Sequence, residues 1–436
     1  MKLINIKLSS AFLLALVLIQ IVGCKKNYTD PSKVPPDNAL TSARGLTGVV
    51  VGLHRVYSTS RASSLYNQVT TDGFVTRQLN IINQGNTAEY QLFQGGTAVD
   101  GTNTILAGLW TGSNKLIFDA NNVLKNAPAL PDKGYASGLI AYASIFKALA
   151  LGNLAMNWDH VPDSISTIGT NVTFITAADA YNKAIGVLDN ALSVIAANPI
   201  SAQFVANVPA GIDIVNTIHA LKARYALNAG NNALALTEAN AVNLTAKSTF
   251  NFDAVTLNPI WETATSTNNV YQPIDSTMGL PPSIAPSLTD KRVPFYIVVD
   301  PPSAQRFKIK GFGATSTSAW PIYLPGEMTL IKAEVSARQN SLPDAIVYLN
   351  QILTKTPAND PFGVGADQPP YAGAVTQAAL LEQIYRNRSI ELYMSGLRLQ
   401  DQRRLERPLA ERKRNYMPYP FVERDNNSNT PPDPPN

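Results

Sequence analysis

The chain has 436 residues, of which 35 are basic and 31 acidic, so its formal net charge is +4 at pH 7. A balance this close to neutral lacks the dense positive charge that binds phosphate backbones, so we expect no nucleic-acid partner. Cys24 is the only cysteine, which excludes disulfides and cysteine-ligated metal sites. His54, His160 and His219 lie far apart and form no metal-binding motif, so we expect no metal and no cofactor.

Residues 1–23 have the three parts of an export signal. Two lysines precede an apolar stretch, and the run Ile-Val-Gly-Cys ending at Cys24 matches a bacterial lipobox. The apolar stretch covers about 18 Å as a helix, too short for a hydrocarbon core of roughly 30 Å. We therefore predict a signal peptide over 1–23 and lipid attachment at Cys24. Residues 24–40, rich in proline and small polar residues, are predicted to be a flexible tether.

Apolar residues recur at helical spacing in several segments between residues 41 and 250. The spacing predicts an N-terminal helical part with helices over 41–58, 104–126, 137–155, 176–197, 213–228 and 232–245. Residues 59–100 are different, because Gly, Asn, Gln and Thr are enriched there with aromatic residues interspersed. We expect irregular loops or short strands in that segment.

The character of the chain changes over residues 251–321, where turns ending in proline separate short β-like runs. We interpret this segment as a loop and short-strand insertion. Residues 322–410 are predicted to be a C-terminal helical part, with helices over 325–338, 344–354 and 376–406, the last as one helix or two. Residues 411–436 are predicted to be an extended tail.

Two segments resemble each other, one around Ala223 and one around Ala333. In both, a helix with small residues leads through a polar turn to a second helix. This is the pattern of tetratricopeptide-like hairpins, which bury their apolar faces only when several are stacked. The sequence therefore predicts a mainly α fold of tetratricopeptide-like helical hairpins, with a generic helical bundle as the alternative.

Several segments carry a family pattern in a fixed order. The lipobox is followed by an aromatic-Asp-Pro start, then by the Trp110 helix, the segment ending at Pro162 and the helix after Pro325. The most specific run is 384–404, where IYRNRSIEL and GLRLQD follow a pattern of spaced charged residues. In this order the segments resemble the SusD/RagB family, the surface glycan-binding lipoproteins of Bacteroidota. Asn387 departs from that pattern, which usually has Glu at this place.

The resemblance implies a right-handed superhelical scaffold and a non-enzymatic role. The protein would capture glycans or oligosaccharides at the cell surface, lipid-anchored in the outer membrane, and deliver them to a SusC-like TonB-dependent transporter. No phosphate-binding loop or nucleophile elbow is present in the sequence, so we predict no catalytic residues. A helical-repeat scaffold lipoprotein that binds other envelope proteins and a lipid-anchored glycoside hydrolase stay open as alternatives.

Sugar binding requires flat aromatic rings for the C–H faces of a sugar and amides or charged groups for its hydroxyls. The polar loop segment and the insertion supply both types of residue. Our ligand-binding candidates are Tyr66, Tyr90, Phe93, Trp261, Asn268, Tyr271 and Trp320. In contrast, four aromatic residues lie on the apolar faces of predicted helices, and we expect them in the core: Trp110, Tyr142, Tyr225 and Tyr348.

Overall fold

The structure is a computed structural model that describes residues 40–165, 171–300 and 306–435. The predicted signal peptide, the lipobox cysteine Cys24 and nearly all of the predicted tether lie outside these residues. The remaining predictions all fall on segments that the structure describes in whole or in large part.

Helices dominate the described residues, and short strands connect them. The helices are α1 (Ala43–Ser58), α2 (Ser64–Val75), α3 (Thr87–Gln94), α4 (Thr104–Asn126), α5 (Lys133–Asn157), α6 (Ala177–Ala197), α7 (Ala202–Ala206), α8 (Ile214–Asn228), α9 (Asn232–Ala241), α10 (Arg292–Tyr296), α11 (Pro325–Arg338), α12 (Leu342–Leu353), α13 (Gln377–Glu391), α14 (Arg398–Arg404) and α15 (Phe421–Arg424). The strands are β1 (Leu79–Ile81), β2 (His160–Pro162), β3 (Phe174–Thr176), β4 (Thr249–Phe250), β5 (Tyr271–Pro273), β6 (Ile297–Val299), β7 (Phe307–Ile309) and β8 (Trp320–Pro321).

The helices predicted from apolar spacing are confirmed, with most ends displaced by only a few residues. The start of α6 is fixed by Thr176, whose hydroxyl accepts a hydrogen bond from the backbone N–H of Asp179 at 3.2 Å. Thr376 caps α13 in the same way through the N–H of Ala379. Such caps satisfy an N–H group that has no partner within the helix. The long C-terminal stretch is two helices, α13 and α14, separated at a turn that contains Gly396.

Successive helices pack against one another along the chain. Helix α4 contacts α5, α5 contacts α6, α6 contacts α8, and α8 forms a hairpin with α9. Helix α11 then contacts α9, α12 and α13. Alanines at the crossings are fully buried, among them Ala223 and Ala333, which allows the backbones to approach closely. The stacked-hairpin prediction is confirmed, and the mainly α fold with it.

Helix α5 is the central layer of this stack. Among the described helices it alone is long and apolar enough to span a membrane by length and composition, but 94% of its most apolar window is buried inside the protein. It contacts α4 on one side and α6 on the other. The composition of α5 is therefore that of a core helix, enclosed by its neighbours.

The prediction of loops or short strands over residues 59–100 is wrong for much of that segment, because α2 and α3 are helices. All twelve residues of α2 are buried, including Asn67, Gln68 and Asp72. A helix that is enclosed on every side has no exposed polar face, so its sequence shows no helical alternation. Its buried polar residues made it resemble a loop.

The described residues of the insertion over 251–321 form turns, short strands, the helix α10 and a few single helical turns. Two of its four strands pair with distant segments: β5 pairs with β1 and places Tyr271 opposite Ile81, and β8 pairs with β4 and places Trp320 opposite Phe250. Strands β6 and β7 form a hairpin within the insertion. The insertion is therefore attached to the N-terminal helical part by strand pairing.

A buried ionic network attaches the insertion to the C-terminal helices. Arg292 is fully buried and donates to Asp290 (Nε to Oδ1 3.0 Å, Nη2 to Oδ2 2.7 Å), to Glu391 Oε2 at 3.2 Å and to Asn387 Oδ1 at 2.8 Å. Lys355 donates to the other oxygen of Glu391. The amide at Asn387 supplies an acceptor without adding another carboxylate to the network.

The tail crosses back over the N-terminal part of the molecule. The N–H of Met417 donates to the carbonyl oxygen of Asn157 at 2.9 Å, and the indole N–H of Trp158 donates to the carbonyl oxygen of Pro418 at 3.0 Å. The described residues of the tail contain turns and the short helix α15, and the others have no regular secondary structure. Its contacts bring residues near position 413 against α2 and α3.

Candidate ligand-binding site

Four of the seven predicted binding residues lie in one aromatic cluster. Tyr66 and Tyr271 have ring centroids 6.3 Å apart, and Phe74 contacts Tyr271 edge to face at 5.5 Å. Phe74 also contacts Phe93 at 6.3 Å, and the ring of Phe93 stacks with that of Tyr90 at 6.4 Å and 20°. Pairing of β1 with β5 joins the polar segment to the insertion and assembles this cluster.

The inner members of the cluster are structural. Tyr66 and Tyr271 are fully buried, so a ligand cannot contact them in this conformation, and their selection as ligand contacts is corrected. The hydroxyl of Tyr66 donates to Glu89 Oε1 at 2.8 Å, and Arg61 pairs with the same carboxylate. Burial raises the pKa of Tyr66 well above its usual value, so the hydroxyl keeps its proton and stays a donor. These bonds hold α3 against α2.

The outer members of the cluster are half-exposed. Tyr90 and Phe93 lie on α3, and each is only partly buried; we call the surface at their stacked rings the aromatic face. Aromatic rings with an exposed side offer a flat apolar surface that suits the C–H face of a sugar ring. These two residues satisfy the geometric requirement for the predicted role, which stays a prediction.

Polar groups lie in the loops beside the β1–β5 pair. The N–H of Asn83 donates to the carbonyl oxygen of Val270 at 3.1 Å, which brings the loop after β1 beside the loop before β5. Asn83 and Asn268 are both exposed there. Trp261 is half-buried at the start of a π-helical turn that ends at Thr265. Asn268 and Trp261 therefore remain predicted ligand contacts at the edge of the insertion.

Trp320 belongs to a different aromatic cluster, and it is buried. Its ring contacts Phe312 at 6.3 Å, and Phe312 contacts Phe295 and Phe362. On β8 it lies opposite Phe250, at the base of the insertion. Trp320 therefore packs the insertion onto the helices, and its selection as a ligand contact is corrected.

Lys413, a residue of the tail, lies at the aromatic face and was missed by sequence reasoning. Its ammonium group lies 3.9 Å from the centroid of the Phe93 ring and donates to the carbonyl oxygen of Phe93. No local pattern around Lys413 could have revealed this contact, because 320 residues separate it from Phe93. Only the path of the tail across α2 brings the two together.

The backbone around Lys413 is held closely in place. Its N–H donates to the carbonyl oxygen of Val75 at 2.8 Å, and its carbonyl oxygen accepts from the N–H of Gly96 at 3.0 Å. Gly95 has φ of +73°, and a side chain at Gly95 would collide with the Cβ of Lys413. Glycine at this position therefore permits both the turn and the contact.

Two comparisons place this architecture among known proteins. The sequence model of the SusD family matches residues 306–433. A SusD superfamily protein from Bacteroides thetaiotaomicron has the same fold, with a TM-score of 0.68 over 90% of this chain and 100% of that chain at 15% identity.

The chain therefore resembles the SusD family in sequence over residues 306–433 and shares the fold of SusD superfamily proteins over most of its length. A SusD-like carbohydrate binding protein from Bacteroides fragilis is 15% identical, with a TM-score of 0.64 over 84% of this chain and 87% of that chain. A laminarin binding SusD-like protein is 15% identical, with a TM-score of 0.62 over 90% of this chain and 98% of that chain. A search of curated proteins finds no significant match.

The charged residues of the SusD-like pattern in 384–404 are structural in this protein. Arg388 forms two hydrogen bonds with Asp401, at 2.9 and 3.0 Å, and both residues are buried. Arg404 pairs with Asp401 and with Glu334 of α11. The pattern therefore encodes the packing of α13 and α14 against α11.

A separate cleft of about 550 Å³ lies between α4, α5 and α6. Aliphatic side chains line it together with Lys147, Lys183 and Asp163, and no aromatic ring is among its lining residues. Lys183 is paired with Asp163. Because the cleft has no aromatic ring on which a sugar could stack, the aromatic face is the better candidate for a glycan site.

The described segments contain no group of three or more His, Cys, Asp or Glu side chains placed to hold a metal ion. Of the histidines, His54 is buried between Phe146 and Phe250, and His219 is bonded to Glu238 at 2.6 Å. Both have structural surroundings.

Proposed function

We propose that this protein binds glycans at the aromatic face without catalysing a reaction. The observation that carries the proposal is the pair of partly exposed rings of Tyr90 and Phe93 on α3, which the aromatic cluster connects through Phe74 to Tyr271 of the insertion. Trp261 and Asn268 of the insertion are the further predicted contacts, one half-buried and the other exposed. Ring faces beside amide groups are the combination that recognises sugars.

Two structural neighbours support the proposal. One is described as a SusD-like carbohydrate binding protein and the other as a laminarin binding SusD-like protein. Both share the fold over more than four fifths of this chain. At 15% identity they support the class of ligand but not its identity.

We infer that the bound glycan is delivered to a SusC-like TonB-dependent transporter. The lipobox at Cys24 would anchor the chain to the outer membrane at the cell surface, and the tether over 24–40 would allow the domain to reach both a polymer and a transporter. The match of residues 306–433 to the SusD family model and the lipobox motif support this inference. A scaffold role for the helical stack is the alternative.

Affinity electrophoresis tests glycan binding directly. Purified protein is run through native gels that contain laminarin, starch, xylan, pectin or dextran, and we expect retardation by at least one polymer. Phe93→Ala should weaken that retardation roughly tenfold in apparent affinity, since loss of a stacking ring removes apolar contact area. Phe118→Ala is the matched control, because Phe118 is 50% exposed on α4 and makes no ring contact among the described residues.

Two results would contradict the glycan proposal. One is migration unaffected by every polymer. The other is an equal loss of binding for Phe93→Ala and Phe118→Ala, which would assign the effect to general surface change. Release of reducing sugar from a bound polymer would instead favour the hydrolase alternative.

A pull-down from native outer membranes tests the transporter inference. The lipidated protein is the bait, and mass spectrometry identifies what it captures. A TonB-dependent barrel in near-stoichiometric amount is the expected result. Recovery of other envelope proteins without a barrel would support the scaffold alternative.

A further inference from the structure

Two cations beside the aromatic face lack the carboxylate partners found elsewhere in the protein. Lys413 donates to one main-chain carbonyl and lies over the Phe93 ring. Arg77 is exposed at the end of α2, two residues after Val75, to which the backbone of Lys413 is bonded. In the part of the chain that the structure describes, neither residue forms an ion pair, and the Arg77 side chain has no hydrogen bond.

Lys413 is half-buried although no carboxylate of the described residues pairs with it. Burial and the nearby positive charge of Arg77 lower the pKa of Lys413 to about 8. A cation in this position costs free energy unless an anion or several acceptors compensate it. An ammonium group has three donors, and one carbonyl leaves the others available.

A buried cation elsewhere shows how the protein compensates a missing carboxylate. Arg398 is 4% exposed and forms no ion pair among the described residues, yet it donates to the carbonyl oxygens of Met278 and Ser389, each at 2.6 Å. The Arg398 side chain is thus enclosed by neighbouring residues. Lys413, in contrast, lies at a surface open to ligands, and its neighbour Arg77 adds a second charge.

The carboxylate of Glu89, which belongs to the same cluster, already has partners. Glu89 is buried, and it binds Arg61 and the Tyr66 hydroxyl. It therefore has its own cation and lies on the inner side of α3. The aromatic face thus keeps an excess of positive charge that no described acidic side chain cancels by pairing.

We propose that the aromatic face recognises acidic glycans, with Lys413 and Arg77 as the anion-binding residues beside the rings of Tyr90 and Phe93. This inference rests on the proposed function, because it names the class of sugar that the same site takes. A carboxylate or sulfate group on a sugar stacked against Phe93 would compensate both charges. Charge-assisted hydrogen bonds of this type are among the stronger ones in proteins.

Polymers with the same backbone and different charge test the proposal. Polygalacturonate is compared with methyl-esterified pectin, and dextran sulfate with dextran, by affinity electrophoresis at low and high salt. We expect the acidic member of at least one pair to bind roughly tenfold more tightly at low salt, with the difference reduced at high salt. The two pairs distinguish a carboxylate ligand from a sulfate ligand.

Substitutions then assign the effect to residues. Lys413→Met should abolish most of the preference for the acidic polymer while keeping residual binding to the neutral one, and Arg77→Met should reduce the preference less. Lys125→Met is the control for net charge, because Lys125 is exposed on α4 and forms no ion pair or side-chain hydrogen bond among the described residues. It should leave the preference unchanged.

The outcomes separate this inference from the proposed function. Equal binding of acidic and neutral polymers, with Phe93→Ala still weakening both, would overturn the acidic preference and keep glycan binding. An equal loss for Lys413→Met and Lys125→Met would overturn the assignment to Lys413. Absence of binding to every polymer would count against both proposals.

Discussion

The charges around Arg292 and those around Lys413 differ in how the protein compensates them. Arg292 is fully buried, and two carboxylates and an amide surround it. Lys413 is half-buried against an aromatic ring and has one carbonyl acceptor. The first arrangement joins the insertion to the C-terminal helices. The second leaves donors facing a surface, which is the arrangement expected of a binding site.

The difference shows that charge alone does not identify a functional residue in this fold. The SusD-like pattern in 384–404 carries charges that pair with each other, such as Arg388 with Asp401. Lys413 belongs to the basic run 412–414 in the tail. It has no carboxylate partner among the described residues, and it lies against a half-exposed aromatic ring.

Arg292→Met should have the largest effect on stability. It leaves Asp290 and Glu391 buried with one cation fewer, and such a loss typically lowers the free energy of unfolding by about 3–5 kcal/mol. Urea denaturation measures the change, with the exposed neighbour Lys291→Met as control, which should shift it by about 0.5 kcal/mol or less. A loss below about 1 kcal/mol for Arg292→Met would show that the network is not what holds the insertion.

His54 is a buried residue that stays neutral, so the protein does not have to compensate a buried charge there. It is 5% exposed, its Nε2 has no hydrogen bond within the described residues, and burial lowers its pKa to about 4. In the unfolded chain His54 binds a proton near pH 6.5, but in the folded chain it does so only near pH 4. The free energy of unfolding therefore falls as pH drops from 6.5 towards 4. His54→Phe should remove that part of the pH dependence, on the order of 2 kcal/mol.

Chemical denaturation at several pH values between 4 and 7 measures this effect. The comparison is the slope for wild type against the slope for His54→Phe, since acidic residues titrate in both. Parallel slopes would mean that His54 does not carry the titration.

Lys413→Met should have the smallest effect on stability, although it is the same type of substitution as Arg292→Met. Removing a half-buried charge that lacks a carboxylate should leave the free energy of unfolding unchanged or raise it by about 1 kcal/mol or less. The pKa of Lys413 in the folded protein is about 8, below its ordinary value of 10.5. The free energy of unfolding of the wild type therefore rises between pH 8 and 10.5, as Lys413 loses its proton in the folded protein first. The difference in stability between Lys413→Met and the wild type should shrink over the same range.

Thermal or urea unfolding at pH 7 and pH 10 checks both parts of this prediction. Arg77→Met serves as a control, because it removes the neighbouring charge from an exposed position. A clear loss of stability in Lys413→Met at pH 7 would reassign Lys413 to a structural role and weaken the contrast with Arg292.

The sequence predicted the helical layers well, because amphipathic helices such as α1 and α4 show their periodicity directly. It failed for α2, since a helix buried on every side carries no alternation, and polar residues such as Asn67 and Asp72 concealed it. Composition identified the two segments whose aromatic residues form one cluster. It could not separate the half-exposed Tyr90 from the buried Tyr66, because exposure depends on the strand pairing of β1 with β5.

The position of Lys413 beside the aromatic face could not be predicted from the sequence, for a related reason. Its neighbours in space, Phe93 and Val75, are more than 300 residues away in the chain. The tail was predicted to be extended, but an extended segment has no periodic signal that indicates where it packs. Trp320 illustrates the opposite error, in which a loop position suggested exposure and strand pairing buried the ring.

A crystal structure with the oligosaccharide of the tightest-binding polymer tests the central claim most directly. We predict the sugar on the rings of Tyr90 and Phe93, with its acidic group bonded to the ammonium of Lys413. A sugar bound instead in the cleft of Lys147 and Lys183, or on another surface with the aromatic face empty, would contradict the account.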